Sequence, residues 1–132
     1  MLVTRETDYA VRCVVYLARK GEEVASVSEI SQKAFIPKSF LAKILQRLVR
    51  EGIVESSRGA RGGFWLIKKP ENITLLEVFF AMQGTAPINM CAIDKRRCSL
   101  SSKCCVHPIW VDIRREVEKR LAVETIGKLI SV

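Results

Sequence analysis

Four of the five cysteines in this 132-residue chain, Cys91, Cys98, Cys104 and Cys105, fall within 15 residues, and the single histidine, His107, follows two positions later. Thiolate and imidazole are the ligand types of iron–sulfur clusters and of zinc. Such clustering argues for metal or redox chemistry over structural disulfides. Cys91, Cys98 and Cys104 have six and then five residues between them. Three cysteines in one segment leave at least one coordination position for another residue. Structural zinc sites usually pair their ligands about two to four residues apart, a spacing these three lack. Cys104 and Cys105 leave a second chemistry open, a thiol redox switch. A redox enzyme needs a nucleophile with an orienting base, and an electron carrier needs ferredoxin-like spacing; the sequence offers neither. Cys13 stands apart in an apolar helical stretch and reads as a small buried hydrophobe.

Charge supplies the second chemistry. The chain carries 22 Lys/Arg against 14 Asp/Glu, a net charge of +8. Residues 33–69 alone hold nine basic and two acidic side chains. A basic segment of this density points to a polyanion partner. Hydrophobic residues make up 48%, enough for a core and against disorder. The apolar runs are far too short to span a bilayer, and the N-terminus lacks the basic-then-apolar order of a signal peptide. The expectation is a cytoplasmic protein, with neither membrane contact nor a small-molecule substrate.

The elements that must position these groups are legible in order. Residues 5–20 read as a helix, with Thr4 as N-cap, Gly21 as its stop, and Tyr9, Cys13, Tyr16 and Leu17 on one face. Ser26-Val27-Ser28-Glu29 has the pattern of a capping box and opens a short second helix. Pro37 starts a third, running to about Glu51. Phe40, Leu41, Ile44, Leu45, Leu48 and Val49 form its expected buried stripe. Two short strands, 53–56 and 63–67, flank a Gly-rich turn that carries Arg58 and Arg61. A fourth helix spans 74–82, capped by Thr74. A long loop, 84–106, contains the cysteines, and loops of that length are usually functional or disordered. Pro108 opens a last long helix, in which Val106, Trp110, Ile113, Val117 and Leu121 recur at coiled-coil spacing. A two-fold partner is the simplest cover for such a stripe. Thr125 caps a final short helix.

Three helices followed by a basic hairpin is the order of a winged helix-turn-helix. The expected fold is mainly α with a small β-hairpin wing and a long C-terminal dimerisation helix. The expected division is a DNA-binding domain at 1–83, a sensor loop at 84–107, and a dimerisation helix with its tail at 108–132. The third helix would enter the major groove of double-stranded DNA. Ser39, Lys43 and Gln46 are the candidates for base edges, and Lys38 and Arg47 for phosphates. Arg58 and Arg61 suit a minor groove or its phosphates.

The stretch from Ser39-Phe40-Leu41 to Arg58-Gly59-Ala60-Arg61-Gly62-Gly63-Phe64-Trp65-Leu66 resembles the family of winged-helix regulators that includes IscR, NsrR and CymR. Thr7-Asp8-Tyr9-Ala10 and Ile73-Thr74-Leu75 match as well, so the resemblance covers nearly the whole chain. It implies a homodimer, two DNA half-sites, transcriptional control such as that of a repressor, and no enzymatic activity. Cluster-binding members carry three loop cysteines, matched here by Cys91, Cys98 and Cys104, although the first gap is one residue longer than usual. The implied cofactor is an iron–sulfur cluster, 2Fe–2S or 4Fe–4S. For the fourth ligand, His107 matches one branch. Asp8 matches another, in which that residue comes from the other subunit. Cys105 is a further candidate without family support. The alternative is a cluster-free regulator using the cysteines as a thiol switch or zinc site.

Overall fold

The computed structural model describes residues 2–84 and 88–131, with the side chains of Met90 and Cys91 left out. Its order is α1 (Arg5–Lys20), α2 (Val27–Ala34), α3 (Lys38–Arg50), β1 (Val54–Ser57), β2 (Gly63–Leu66), α4 (Leu75–Gln83), α5 (Met90–Ile93), α6 (His107–Val123) and α7 (Ile126–Ile130). The expected winged helix-turn-helix is present.

Capping explains where the helices begin. Thr4, Ser26, Thr74 and Thr125 each accept a hydrogen bond from a backbone amide of the first turn they precede. Each satisfies an amide that has no partner inside its helix. Gly21 ends α1 with a positive φ of 76°. The Ser26 capping box is only half formed. Glu29 donates its amide to Ser26, but its carboxylate turns to α1, where it accepts from Tyr16 Oη and Lys20 Nζ. Those two donors, Lys20 first, hold the Glu29 carboxyl below the usual carboxylate range. A local cap has given way to a tertiary tie between α1 and α2.

The core forms where α1, α2, α3 and α4 meet. Cys13, Val14 and Leu17 of α1, Ile30 of α2, and Leu41, Ile44, Leu45 and Leu48 of α3 are all buried. Burial pushes the Cys13 thiol up to about 12, so it stays neutral and acts as a hydrophobe, as expected. Phe40 and Val49 depart from the expected stripe, each being 36% exposed. They flank the buried row, and Phe40 instead meets Tyr9 with ring centroids 5.8 Å apart.

The wing is a two-stranded antiparallel hairpin pairing Val54 with Leu66 and Ser57 with Gly63. It is tied back to the helices. Ala25, just ahead of α2, exchanges two backbone hydrogen bonds with Phe64, at 3.0 and 2.8 Å. Gly63 is required by that approach, because a Cβ there would lie 2.5 Å from the Ala25 carbonyl oxygen. The chain end also returns to the core. Leu75 donates to the Glu124 carbonyl, Ile126 donates to the Ile73 carbonyl, and the Ile126 side chain is fully buried. The segment expected as one loop contains α5 and a 3-10 turn, Lys95–Arg97.

Two measurements follow from this packing. Gly63→Ala forces a backbone clash and is expected to cost about 1–3 kcal/mol in chemical denaturation, as overpacking does; a neutral result contradicts the wing docking. Because the folded Glu29 carboxyl titrates below its unfolded value, its contribution is present above the ordinary carboxylate pKa and is lost as pH falls through the folded one. The melting-temperature gap between the wild type and Glu29→Gln is therefore largest near neutral pH and closes in acid. A gap independent of pH contradicts the tie.

Candidate nucleic-acid interface and cysteine segment

Burial of one face of α3 forces the opposite face out. Lys38, Ser39, Lys43, Gln46 and Arg47 are all exposed, on a helix that carries no acidic residue in its first turn. Lys43, Gln46 and Arg47 line one cleft with Arg50, against Glu6 of α1 and Gln83 at the end of α4. Arg50 belongs to this surface and was not among the residues singled out from sequence. Its signal is spacing, three residues after Arg47 and four after Gln46. Within this group Arg47 is anchored inside the chain, its Nη1 donating to the Met82 carbonyl at 2.6 Å.

Arg58 and Arg61 are exposed on the wing turn. That turn is closed by the Gly62 amide donating to the Gly59 carbonyl at 2.9 Å. A Cβ on Gly62 would lie 2.3 Å from the Ser57 carbonyl oxygen, so glycine is needed for the tight reversal. The turn thus carries two cations, adjoining a hairpin that packs against α3. Exposed cations thus stand on both α3 and the wing turn, and such concentrated positive charge attracts phosphate.

The cysteine segment lies against α6. α5 packs on α6, with Ala92 buried and its amide donating to Asn89 Oδ1 at 3.0 Å. Asp94 caps the 3-10 turn by accepting from the Arg96 amide at 3.0 Å, and this arginine holds its carboxyl below the usual range. Cys98 and Cys104 are free thiols of intermediate exposure, and Cys105 is exposed. The Cys91 side chain lies outside the described residues. His107 is the first residue of α6, following Val106 at the N-cap position, which makes no side-chain cap. Its Nδ1 is buried and has no hydrogen-bond partner. The Ser101 hydroxyl nearby in sequence is also buried without a partner.

Asp8 is placed differently. It sits on the exposed side of α1 in an ion pair with Arg12 at 2.9 Å, one helical turn away. Arg12 also donates to the Phe35 carbonyl and lies over the Tyr9 ring. Among the described residues, no three His, Cys, Asp or Glu side chains are gathered closely enough to hold a metal ion. Also among them, no helix is long and apolar enough to cross a membrane.

On α6 no residue is buried. Trp110, Ile113, Val117 and Leu121 are half-covered, while Val106 and Ile109 are 40% and 53% exposed. The apolar stripe read from sequence is therefore present and only partly covered by this chain.

Comparison with known proteins places the whole arrangement. Residues 3–131 match the Rrf2 family, described as iron-dependent transcriptional regulators. The HTH-type transcriptional regulator IscR of Klebsiella pneumoniae (strain 342) is 30% identical over 132 residues, covering 99% of this chain and 80% of that protein. The structure of CymR, the global cysteine regulator of B. subtilis, matches with a TM-score of 0.79 and 25% identity, covering 99% of this chain and 97% of that one. IscR of T. potens matches in fold with a TM-score of 0.79 at 20% identity, over 99% of this chain and 87% of that one. These similar proteins are regulators rather than enzymes. With a winged helix, a basic reading face and a family match spanning nearly its full length, this chain belongs to the Rrf2 family of DNA-binding transcription regulators.

Proposed function

We propose that this protein is a homodimeric regulator whose binding to double-stranded DNA is controlled by an iron–sulfur cluster held in residues 91–107. The observation that carries the sensor half is His107, whose Nδ1 is buried and unpartnered beside a segment containing two free, half-covered thiols. An orphaned buried nitrogen is costly unless a ligand takes it. Cys91, Cys98, Cys104 and His107 would hold the cluster, which supplies a redox- and ligand-sensitive centre that can be gained or lost. Position supports the same choice. A thiolate-ligated cluster is usually anionic, and the start of α6 is the electropositive end of a 17-residue helix. Asp8, already paired with Arg12, is the less available fourth ligand.

In the reader half, Ser39, Lys43 and Gln46 of α3 face base edges in the major groove. Lys38 and Arg47 meet phosphates, and Arg58 and Arg61 of the wing clamp the adjacent backbone. The half-covered apolar stripe of α6 supports pairing with a second copy, which would set two reading helices at two half-sites. Cys91, Cys98, Cys104 and His107, held to one cluster, would tie residues 91–107 to the start of α6 and so change the spacing of those helices.

A second reading rests on Cys105. It is exposed and directly follows Cys104, an arrangement suited to a thiol switch without a cluster.

Anaerobic reconstitution separates the two. The cluster reading expects a coloured protein with iron and sulfide bound, with the colour lost in Cys98→Ala and the visible spectrum altered in His107→Ala but retained in Asp8→Ala. A colourless protein whose DNA binding depends on Cys105 supports the thiol switch instead. The reader surface is tested by salt titration of DNA binding. Arg58→Ala and Arg61→Ala should weaken binding to all sequences alike and lower the salt slope by about one each. Gln46→Ala should cost about 1–3 kcal/mol and relax preference at one base pair. Unchanged slopes in the arginine variants would contradict the wing assignment.

A further inference from the structure

The last turn of α4 is held from two sides at the point where the chain leaves for the cysteine segment. On one side is the start of α1. Gln83 Oε1 accepts from the Thr7 hydroxyl at 2.6 Å and from the Thr4 amide at 3.1 Å, while its Nε2 donates to the Leu2 carbonyl at 2.9 Å. One amide side chain thus grips three residues about 80 positions away, including the N-cap of α1. Thr7 is 1% exposed, and besides Gln83 its hydroxyl meets the Thr4 hydroxyl at 2.9 Å, so the three side chains form one part-buried hydrogen-bonded group.

On the other side is the reading helix. Arg47 donates to the Met82 carbonyl at 2.6 Å. That carbonyl belongs to the helix end that lacks intrahelical donors and carries partial negative charge, so a guanidinium suits it both as donor and as charge. The Gly84 amide donates to the Phe80 carbonyl, and Gly84, at a φ of 71°, turns the chain out of the helix. Met82 itself is in the core, and α4 packs on both α1 and α3.

We propose that this turn is the junction through which the cysteine segment acts on the DNA-reading surface, with Gln83 and Arg47 as positioning residues. The inference rests on the cluster reading above and assigns it a route. A shift in the turn is carried by Gln83 to the start of α1 and by Arg47 to the face of α3 that holds Lys43 and Gln46. Packed helices respond to such shifts as rigid units, so small displacements at the turn re-aim whole elements. Gln83 touches no DNA-facing side chain through these bonds; its role is to transmit.

The test compares the dissociation constants of cluster-loaded and cluster-free protein for one duplex, in the wild type, Gln83→Leu and Gln83→Glu. Leucine removes donor and acceptor while keeping the helix, and glutamate keeps an acceptor for Thr7 and Thr4. The wild-type ratio is expected at about fivefold or more, a usual size for allosteric coupling. In Gln83→Leu it falls to within about twofold of unity, although iron and sulfide contents are unchanged, and Gln83→Glu recovers part of it. Amide exchange of the cluster-free protein, read without DNA, should quicken at residues 4–8 in Gln83→Leu. If that variant fails to fold, Thr7→Val removes the same buried bond at nearly constant volume and is read the same way. A wild-type ratio retained in Gln83→Leu, or unchanged exchange at residues 4–8, overturns the junction. A ratio of one in the wild type overturns the cluster reading itself, and the junction with it.

Discussion

Burial of Leu41, Ile44, Leu45 and Leu48 is the constraint on which the molecule depends. These four residues fix the rotation of α3 against α1 and α2, and rotation decides which side chains a groove can meet. At roughly 1.5–3 kcal/mol for each fully buried large aliphatic side chain, the row outweighs any single polar contact nearby. Turning α3 by one position would bury Lys43 or Gln46 without partners, at a cost the fold could not meet. The basic face is thus a consequence of the core. The wing is subject to the same control, since Gly63 admits the Ala25 backbone and locks the hairpin against the helices.

The parts of this architecture most legible in sequence are those written in local chemistry. Threonine and serine caps, the glycine stop after α1 and the four-residue rhythm of α3 place the elements to within a residue or two. The fit fails where tertiary packing overrides the local pattern. Glu29 has the spacing to complete a capping box but bonds Tyr16 and Lys20 of another helix. Phe40 and Val49 have apolar side chains at the margins of a stripe, and periodicity alone cannot tell a margin from a centre. Ile126 is fully buried because a short chain return pairs Thr125 with Thr74 across 51 positions, a contact no window of sequence contains.

The candidate sites divide in the same way. The exposed residues of α3 and the wing follow from helix phase and turn composition, so their positions were readable in advance. Arg47 is the exception in kind. Its charge suggested phosphate, yet its guanidinium also anchors to Met82, and only the folded chain brings those residues together. In the cysteine segment, spacing named the thiols but left Asp8 and His107 as equal candidates. In the folded chain the Asp8 carboxylate is paired with Arg12, and the His107 Nδ1 is buried without a partner.

The reading helix and the cysteine segment lie in one chain of 132 residues. α4 packs on the reader side through α1 and α3 and on the sensor side through α6, while α6 also carries the stripe available to a second copy. A change in residues 91–107 therefore has short routes to the reading helix. The most direct test is selection from a random duplex library by the wild-type protein, loaded anaerobically and then stripped of iron by a chelator. The account predicts that affinity for the selected sequences changes by about fivefold or more, or that the preferred sequence changes. Equal affinity and equal preference in the two states would contradict it.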